Sequence, residues 1–396
     1  MRFVVIGASA AGITAVQKLR ECNPEAEITL ISKDTQVYSR CILYHHLDQT
    51  RTLEEMNFAG LDFDSNLHIQ WMKGTEAVSV DTIRKIVHTD QNTDVPYDRL
   101  CIATGSHSNF PSIPGLREGK NILGFRDLSD ADKIMTFLKQ AKNIFVMGAG
   151  LVGIDVITGL LPHKKNIWLA DMGPYMLPIQ LDEYAAGVYQ KLFSEKGVVQ
   201  YYGMGAREFV LNEEGNCCKV ILQDNTELQV DLVINCAGVR ANTEFLEGSG
   251  IAYDRFGLLI DEYGRTNVED VYGAGDVTGR SPVWPVAVRE GMTAAYAMSG
   301  KRKIKEEYFA QKSSMHFLDI PTVSIGKVNR YDESYQELVQ KDDERYMKIV
   351  IKEGIVVGVL LQGDISKSGV LMKMISQKKP VSEVHKSLFE LDSSDI

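Results

Sequence analysis

The chain has 396 residues, a formal net charge of −10, 44% apolar residues and 24% charged residues. This length predicts two or three domains with an ample core, and the composition is that of a globular protein. The acidic balance argues against binding to nucleic acid or to an anionic membrane, because both need a positively charged footprint.

The cysteines and histidines show no pattern of a metal site. The six cysteines form no CxxC pair and no metal-ligand spacing, and the eight histidines form no HxxxH or HExxH pattern. Cys101 and Cys236 lie inside apolar strand patterns, where a buried thiol is the ordinary interpretation. We therefore expect reduced thiols, a cytoplasmic location, no bound metal and no siroheme.

The first elements along the chain are a strand, a glycine turn and a helix. Arg2 to Ile6 predicts the strand, Gly7-Ala-Ser-Ala-Ala-Gly12 opens a helix that reaches about Cys22, and Glu27 to Ile31 predicts a second strand. A secretory signal peptide also begins with a basic residue and an apolar run. The second strand favours the strand and glycine turn instead.

This first unit departs from a dinucleotide-binding pattern at two positions. Ser9 stands where a second glycine is usual, and it is small enough to admit a pyrophosphate. The second strand ends in Ser32-Lys33-Asp34, where a single ribose-binding acid is expected. Taken alone, this unit is ambiguous.

A second unit with the full pattern follows. An apolar strand from Asn143 runs into Gly148-x-Gly150-x-x-Gly153, a helix pattern follows, and a strand from Asn166 ends at Asp171. The glycines permit the tight turn, the approach of a pyrophosphate and the close packing of the helix on the strand. The run is apolar enough to suggest a membrane span, but its four glycines and the strand-turn-helix register argue against one.

The second unit predicts a preference for NADH. Asp171 is placed to accept hydrogen bonds from an adenosine ribose, and Met172 follows it where an arginine would neutralise a 2′-phosphate. Asp155 lies two residues after the third glycine, where it either orders a nicotinamide or pairs with the helix dipole. Two such units in one chain imply two bound nucleotides.

Several motifs in the same order resemble the FAD-dependent pyridine nucleotide:disulfide oxidoreductase superfamily. They are Gly74-Thr-Glu-Ala-Val78, Tyr97-Asp-Arg-Leu-Cys-Ile-Ala-Thr-Gly105, Ile113-Pro-Gly115, Asn235-Cys-Ala-Gly-Val239 and Val271-Tyr-Gly-Ala-Gly-Asp276. The resemblance covers essentially the whole chain. It implies an enzyme that binds FAD and NADH.

The resemblance implies an α/β fold with two Rossmann-like, three-layer ββα nucleotide-binding domains and a small α+β C-terminal domain. The FAD domain comprises residues 1–110 and 240–308, the NAD domain is inserted as 111–239, and the third domain is 309–396. Ser129 is predicted to cap the helix that enters the insert, with Asp132 three residues later. A hairpin is predicted at Tyr346 to Leu361, with helices after Asp364.

The site predictions follow from the two turns and the resemblance together. For FAD they are Gly7, Ser9, Ala10, Ala11, Gly12, Ser32, Lys33, Arg40, Cys41, Val78, Ala103, Thr104, Gly105, Gly275, Asp276 and Trp284. For NAD they are Gly148, Gly150, Val152, Gly153, Asp155, Asp171, Ala237 and Gly238.

The segment Tyr38-Ser-Arg-Cys-Ile-Leu-Tyr-His-His46 distinguishes the subfamilies. Glutathione- and lipoamide-type reductases carry C-x-x-x-x-C here, but His46 stands five residues after Cys41. No His-Pro pair occurs to supply the acid-base residue of that group. The two-cysteine mechanism is therefore excluded.

Two interpretations of that segment remain. In the first, Tyr38-x-Arg40 resembles NADH:rubredoxin reductases and the flavin region of NADH-dependent nitrite reductases, as do Trp284-Pro-x-Ala287, Met315-His-Phe317 and Gly363-Asp-Ile-Ser366. In the second, Arg40-Cys41-x-Leu43 resembles single-cysteine coenzyme A disulfide or persulfide reductases and NADH oxidases, with Cys41 as a redox thiol. We favour the first because it explains features at both ends of the chain.

The first interpretation predicts a small acidic partner of the rubredoxin or ferredoxin type. An acidic reductase would dock it through a local basic patch, such as Gly300-Lys-Arg-Lys-Ile-Lys305 or Gln377-Lys-Lys379. A third hypothesis is a non-enzymatic redox sensor that binds FAD and NADH. The oligomeric state is left as monomer or homodimer.

Overall fold

The computed structural model describes residues 1–301, 312–392, 394 and 395. The strands are β1 (Arg2–Ile6), β2 (Glu27–Ser32), β3 (Gln70–Lys73), β4 (Ala77–Asp81), β5 (Ile86–Thr89), β6 (Asp94–Pro96), β7 (Arg99–Ile102), β8 (Ser106–Ser108), β9 (Ile122–Gly124), β10 (Asn143–Met147), β11 (Asn166–Asp171), β12 (Val198–Tyr202), β13 (Ala206–Leu211), β14 (Cys217–Leu222), β15 (Glu227–Gln229), β16 (Leu232–Asn235), β17 (Val239–Ala241), β18 (Val271–Gly273), β19 (Lys312–Phe317), β20 (Ile320–Gly326), β21 (Tyr335–Lys341), β22 (Tyr346–Lys352) and β23 (Ile355–Gln362). The helices are α1 (Ala10–Cys22), α2 (Tyr44–Asp48), α3 (Phe63–Asn66), α4 (Leu128–Leu138), α5 (Leu151–Leu160), α6 (Glu183–Glu195), α7 (Trp284–Met298) and α8 (Ser368–Gln377).

The first compact unit comprises the described parts of residues 1–109, 126–131 and 238–307. Its central sheet is parallel, with the strand order β18-β7-β1-β2-β3. The residues of β1 after Arg2 are buried, as expected for a strand covered on both faces. The order reverses between β7 and β1, and nucleotides bind beyond the carboxyl ends of the strands at such a point.

Smaller sheets complete the first unit. Strands β4, β5 and β6 form an antiparallel sheet, and β8 pairs with β17 in a two-stranded antiparallel ribbon. Helices α1 and α7 pack closely because α7 carries Gly291, where a Cβ atom would lie 2.2 Å from the carbonyl oxygen of Ala11. This packing fixes the amino-terminal end of α1.

The second compact unit comprises residues 110–125 and 132–237 and the described residues from 312 onward. Its parallel sheet has the order β12-β11-β10-β16-β9, which reverses between β10 and β16. Strands β13, β14 and β15 form a three-stranded antiparallel sheet, and the C-terminal strands form an antiparallel sheet with the order β19-β20-β23-β22-β21. Helix α8 packs on this last sheet through Leu371, Met374 and Ile375.

Residues 126–131 belong to the first unit, whereas the sequence assigned them to the NAD domain. The ion pair of Lys33 with Asp127 provides a physical reason. The further separation of the second unit into an NAD domain and a C-terminal domain stays a prediction.

The start of α4 differs from the prediction. The helix begins at Leu128, and the carboxylate of Asp127 accepts the N–H of Asp130 at 3.1 Å. Asp127 therefore caps the helix, and Ser129 lies inside its first turn. Serine and aspartate are both good caps. Asp127, which also pairs with Lys33, occupies the cap position.

Membrane-spanning length can be judged for the described helices. In residues 1–301, 312–392, 394 and 395, no helix has the length and apolarity needed to cross a bilayer.

The predicted basic patch at residues 300–305 is described only as far as Lys301. Its other residues lie outside the described part of the chain.

Candidate functional site

The first glycine turn brings three backbone segments into close contact. Gly7 has a φ angle of +112°, and a Cβ atom there would lie 2.1 Å from the carbonyl oxygen of Ala103. At Gly12 a Cβ atom would lie 1.8 Å from the carbonyl oxygen of Gly7. The ends of β1 and β7 and the start of α1 therefore meet only because these positions are glycine.

The second turn repeats this construction. Gly148 has a φ angle of +111°, and its Cβ would lie 2.5 Å from the carbonyl oxygen of Cys236. The Cβ of Gly153 would lie 1.9 Å from the carbonyl oxygen of Gly148. At Gly150 a Cβ would meet no atom of the described residues within 4 Å, so this position faces open space. The turn has room for a pyrophosphate at the predicted place.

Each of the two helices begins at its own glycine turn. Ser9 caps α1 and Gly150 caps α5, and within the described part of the chain neither makes a side-chain cap hydrogen bond. Neither first turn contains an acid. The free amides and the positive end of the helix dipole therefore favour an anionic phosphate.

The predicted flavin motif packs on the first turn. A Cβ atom at Gly275 would lie 2.8 Å from the Cβ of Ala11, so the short helix Gly275–Thr278 approaches α1 closely. Ala10, Ala11 and Ala103 are buried around it. These small residues leave a cradle that larger side chains would fill, and they fit an FAD bound along the turn.

An ion pair organises the segment after β2. The guanidinium of Arg40 lies 2.7 Å from Asp34, whose other oxygen accepts the hydroxyl of Tyr38 at 3.2 Å. Burial opposes the charge of Arg40, but Tyr38 and Asp34 outweigh it and raise its pKa. Arg40 is thus a permanent, well-held cation near the end of β2.

A second set of contacts joins this segment to the start of α4. The ammonium of Lys33 lies 2.8 Å from Asp127, and the hydroxyl of Tyr38 accepts the N–H of Leu128 at 3.0 Å. Burial raises the pKa of Tyr38, so the phenol stays neutral and can donate. Ser32 is buried, and its hydroxyl accepts the N–H of Asp34 at 3.0 Å.

Arg126 is a candidate functional residue that the sequence did not indicate. Its guanidinium is hydrogen-bonded to the carboxylate of Asp276, the predicted partner of the FAD ribityl chain. Its Nε also donates to the carbonyl oxygen of Ser106 at 3.2 Å. Arg126 and Asp276 are 150 positions apart, so no local pattern could have paired them.

Glu290 supports the same motif from behind. This carboxyl group on α7 is buried, and it accepts the N–H of Gly275 at 2.9 Å and the hydroxyl of Thr278 at 3.4 Å. The only feature of the sequence that could have indicated this role is an acidic residue inside an apolar helix pattern. The contact fixes the turn that carries Asp276.

The remaining predicted FAD residues lie in the first unit. Cys41 is exposed in the short helix Arg40–Ile42, and Val78 is half-exposed on β4. Thr104 donates to the carbonyl oxygen of Asn242 at 3.0 Å. Trp284 begins α7 and contacts Phe58 edge-to-face, with ring centroids 4.7 Å apart.

Asp171 stands at the end of β11, beside the second turn. Its carboxylate accepts the N–H of Ala149 at 2.6 Å and the N–H of Gly173 at 2.5 Å. Each carboxylate oxygen has a further lone pair for a ribose hydroxyl. Met172 is largely exposed and supplies no cation.

Asp155 lies in α5, beyond the helix start. Burial raises the pKa of this carboxyl group well above its usual range. Burial and Asp155 together raise the pKa of the Cys236 thiol. Both predicted roles of Asp155, ordering a nicotinamide and pairing with the helix dipole, stay predictions. Val152 lies in the first turn of α5, and Ala237 and Gly238 follow β16.

Two dinucleotide-binding turns and a flavin motif in one chain define a flavin- and nicotinamide-dependent oxidoreductase. The chain belongs to the family described as pyridine nucleotide-disulphide oxidoreductase, whose model matches residues 1–291. Residues 313–379 match the rubredoxin NAD+ reductase C-terminal domain. The protein is thus an FAD-dependent NAD(P)H oxidoreductase, as the sequence predicted.

Similar proteins include enzymes with different electron acceptors. The nitrite reductase [NAD(P)H] of Bacillus subtilis is 26% identical over 97% of this chain, which spans 48% of that protein. An NADH oxidase of Enterococcus faecalis is 26% identical, with 97% of this chain and 93% of that protein covered. The chain therefore spans about half the length of the first relative and nearly all of the second.

A solved structure confirms the fold. The NADH:rubredoxin oxidoreductase of Clostridium acetobutylicum aligns with a TM-score of 0.76 and 22% identity, covering 96% of each chain. At this identity the likeness concerns the fold alone.

Proposed function

We propose that this chain oxidises NADH and passes the electrons, through bound FAD, to a small one-electron carrier of the rubredoxin type. The observation that carries the proposal is the match of residues 313–379 to the C-terminal domain of rubredoxin reductases. The Tyr38-x-Arg40 segment supports it from the other end of the chain.

The first unit supplies the flavin site. The amides of the Gly7–Gly12 turn would hold the pyrophosphate, and Asp276 would hold the ribityl chain, with Arg126 and Glu290 keeping that carboxylate in place. Bound FAD supplies a redox group that accepts a hydride and can release its electrons singly. Arg40 and the start of α1 supply fixed positive charge nearby.

The second unit supplies the NADH site. The Gly148–Gly153 turn would bind the pyrophosphate, and the carboxylate of Asp171 would accept the ribose hydroxyls. That carboxylate disfavours a 2′-phosphate, and Met172 offers no compensating cation. Asp155 would help to order the nicotinamide. NADH is therefore the proposed donor.

The cysteines support direct electron transfer rather than a disulfide relay. All six lie in the described part of the chain, and none of them forms a disulfide there. Cys101 and Cys217 are buried, and burial raises the pKa of each thiol to about 12, so both are inert at neutral pH. A relay would need a redox-active pair of thiols to store two electrons, and these six supply none.

One observation favours a second candidate, a single-cysteine reductase or oxidase. Cys41 is exposed and follows Arg40, a held cation that would favour a thiolate. In that case coenzyme A disulfide, a persulfide or oxygen would be the acceptor.

Replacement of Cys41 by Ser separates the two candidates. We expect the purified yellow protein to reduce rubredoxin with NADH, and Cys41→Ser to retain that rate within about twofold. Cys22→Ser is the matched control. Loss of rubredoxin reduction in Cys41→Ser alone, or turnover only with a disulfide, persulfide or oxygen, would establish the second candidate.

A further inference from the structure

Residues 172–182 form a loop that runs from Asp171 to helix α6 and lies against the second glycine turn. The N–H of Leu177 donates to the carbonyl oxygen of Ala149 at 3.0 Å, while the N–H of Ala149 donates to Asp171. Met176 and Leu177 are fully buried. The position of the loop therefore sets the position of the turn.

The connection between β20 and β21 holds this loop by its backbone. The side-chain amide of Asn329 donates to the carbonyl oxygens of Pro178 at 3.2 Å and Leu181 at 3.1 Å. Since a loop has few backbone partners of its own, two bonds from one side chain restrict it strongly.

The C-terminal sheet also holds the end of the loop by charge. Lys348, on β22, places its ammonium 3.2 Å from Asp182 and 2.9 Å from Glu337. The hydroxyl of Tyr346 donates to Asp182 at 2.6 Å. Asp182 in turn caps α6 by accepting the N–H of Ala185 at 3.0 Å.

Lys348 is unusual for its position. Its side chain is 6% exposed and sits in an apolar strand, where an unpaired ammonium would be strongly unfavourable. An apolar residue of similar size is often as stable at such a site. The sheet itself does not require a charge here, so the contacts with Asp182 and Glu337 account for the lysine.

We propose that Tyr346 and Lys348 on β22, and Asn329 in the connection between β20 and β21, position the dinucleotide site. By fixing residues 172–182, they hold Asp171 and Ala149 in the arrangement that binds NADH. The inference rests on the proposed NADH site at Asp171. None of the three is a catalytic residue, because each acts through the loop.

Lys348→Met and Asn329→Ala test this inference, with Lys352→Met as the control. Lys352 lies on the same strand, but its ammonium lies over the ring of Tyr335, 4.8 Å from the centroid. We expect the apparent Kd for NADH, from stopped-flow flavin reduction, to rise about tenfold in both test variants. The limiting rate at saturating NADH and the FAD content should stay within about twofold.

Hydrogen exchange supplies a readout that needs no nucleotide. Amides of residues 172–182 should exchange faster in both test variants and at an unchanged rate in Lys352→Met. Should Lys348→Met fail to fold, Asn329→Ala carries the test, since it removes hydrogen bonds to residues 172–182 without leaving a buried charge.

The outcomes distinguish this inference from the proposed function. If the unsubstituted chain does not bind NADH, the proposed function fails and the inference fails with it. If the unsubstituted chain binds NADH and both variants bind it equally well, the inference alone is overturned, whatever the exchange rates. A fall in the limiting rate with unchanged Kd also overturns it.

Discussion

The two nucleotide-binding turns are built alike, but the strands beside them end differently. Strand β2 ends before Lys33 and Asp34, which pair with Asp127 and Arg40 from other segments. Strand β11 ends in Asp171, which bonds to the backbone amides of its own turn and loop. The first strand end is held by ion pairs between side chains, and we expect its site to suit a cofactor that stays bound. The second strand end is held by hydrogen bonds to backbone amides, and we expect its site to suit a substrate that leaves after each turnover.

The largest expected effect is a difference between Gly12→Ala and Gly153→Ala. Each adds a Cβ less than 2 Å from a backbone oxygen of its own turn. Gly12→Ala should yield a protein without bound FAD. Gly153→Ala should stay yellow but lose about a hundredfold in apparent NADH affinity. Visible absorbance and stopped-flow reduction measure the two effects.

Gly187→Ala is the matched control. Gly187 lies in α6, and a Cβ atom at this position would meet no atom of the described residues within 4 Å. If Gly12→Ala retains FAD while Gly153→Ala loses it, the assignment of the two nucleotides is reversed.

The next effect concerns the acid of the second turn. Asp171→Ala combined with Met172→Arg removes the carboxylate and adds a partner for a 2′-phosphate. We expect the ratio of kcat/KM for NADH to that for NADPH to fall about hundredfold, since a charged hydrogen bond is worth ~1.5–3 kcal/mol. Steady-state kinetics with both donors measure it. Met172→Leu is the control. An unchanged ratio in the double variant would show that Asp171 does not bind the ribose.

The smallest effect concerns Asp155, whose pKa is raised by burial. A raised pKa means that the folded state holds the proton more tightly, so stability is lost as pH rises above the ordinary value of 3.8. An asparagine at this position does not titrate. Asp155→Asn should therefore match the unsubstituted protein at pH 4 and exceed its Tm by about 2–4 °C at pH 8. A Tm difference that is independent of pH would contradict a raised pKa of Asp155.

The sequence predicted the elements whose causes are local. Gly148, Gly150 and Gly153 follow a strand at fixed spacing, and that spacing alone defines a tight turn with an open helix end. The hairpin of β22 and β23 follows from apolar runs around Glu353-Gly354, where Glu353 has a positive φ angle. Short-range geometry depends on neighbouring residues, and the structure contains both the turn and the hairpin.

The contacts that complete the sites are long-range and were not predicted. Arg126 reaches Asp276 and Lys348 reaches Asp182 across large sequence separations. Nothing near Lys348 in the chain distinguishes it from a solvent-exposed lysine on a strand. Asp127 displaced Ser129 as the helix cap because a partner from another segment, Lys33, was present.

The ribbon of β8 and β17 has a consequence for how this chain can be altered. Ser108 pairs with Val239, and the N–H of Asn109 donates to the carbonyl oxygen of Gly238 at 3.0 Å. The segment 110–237 therefore begins and ends at neighbouring points of this ribbon. Grafting another family member's equivalents of residues 110–125, 132–237 and the C-terminal sheet, with Arg126–Ala131 kept native, would test whether donor preference moves with these residues while FAD binding is retained.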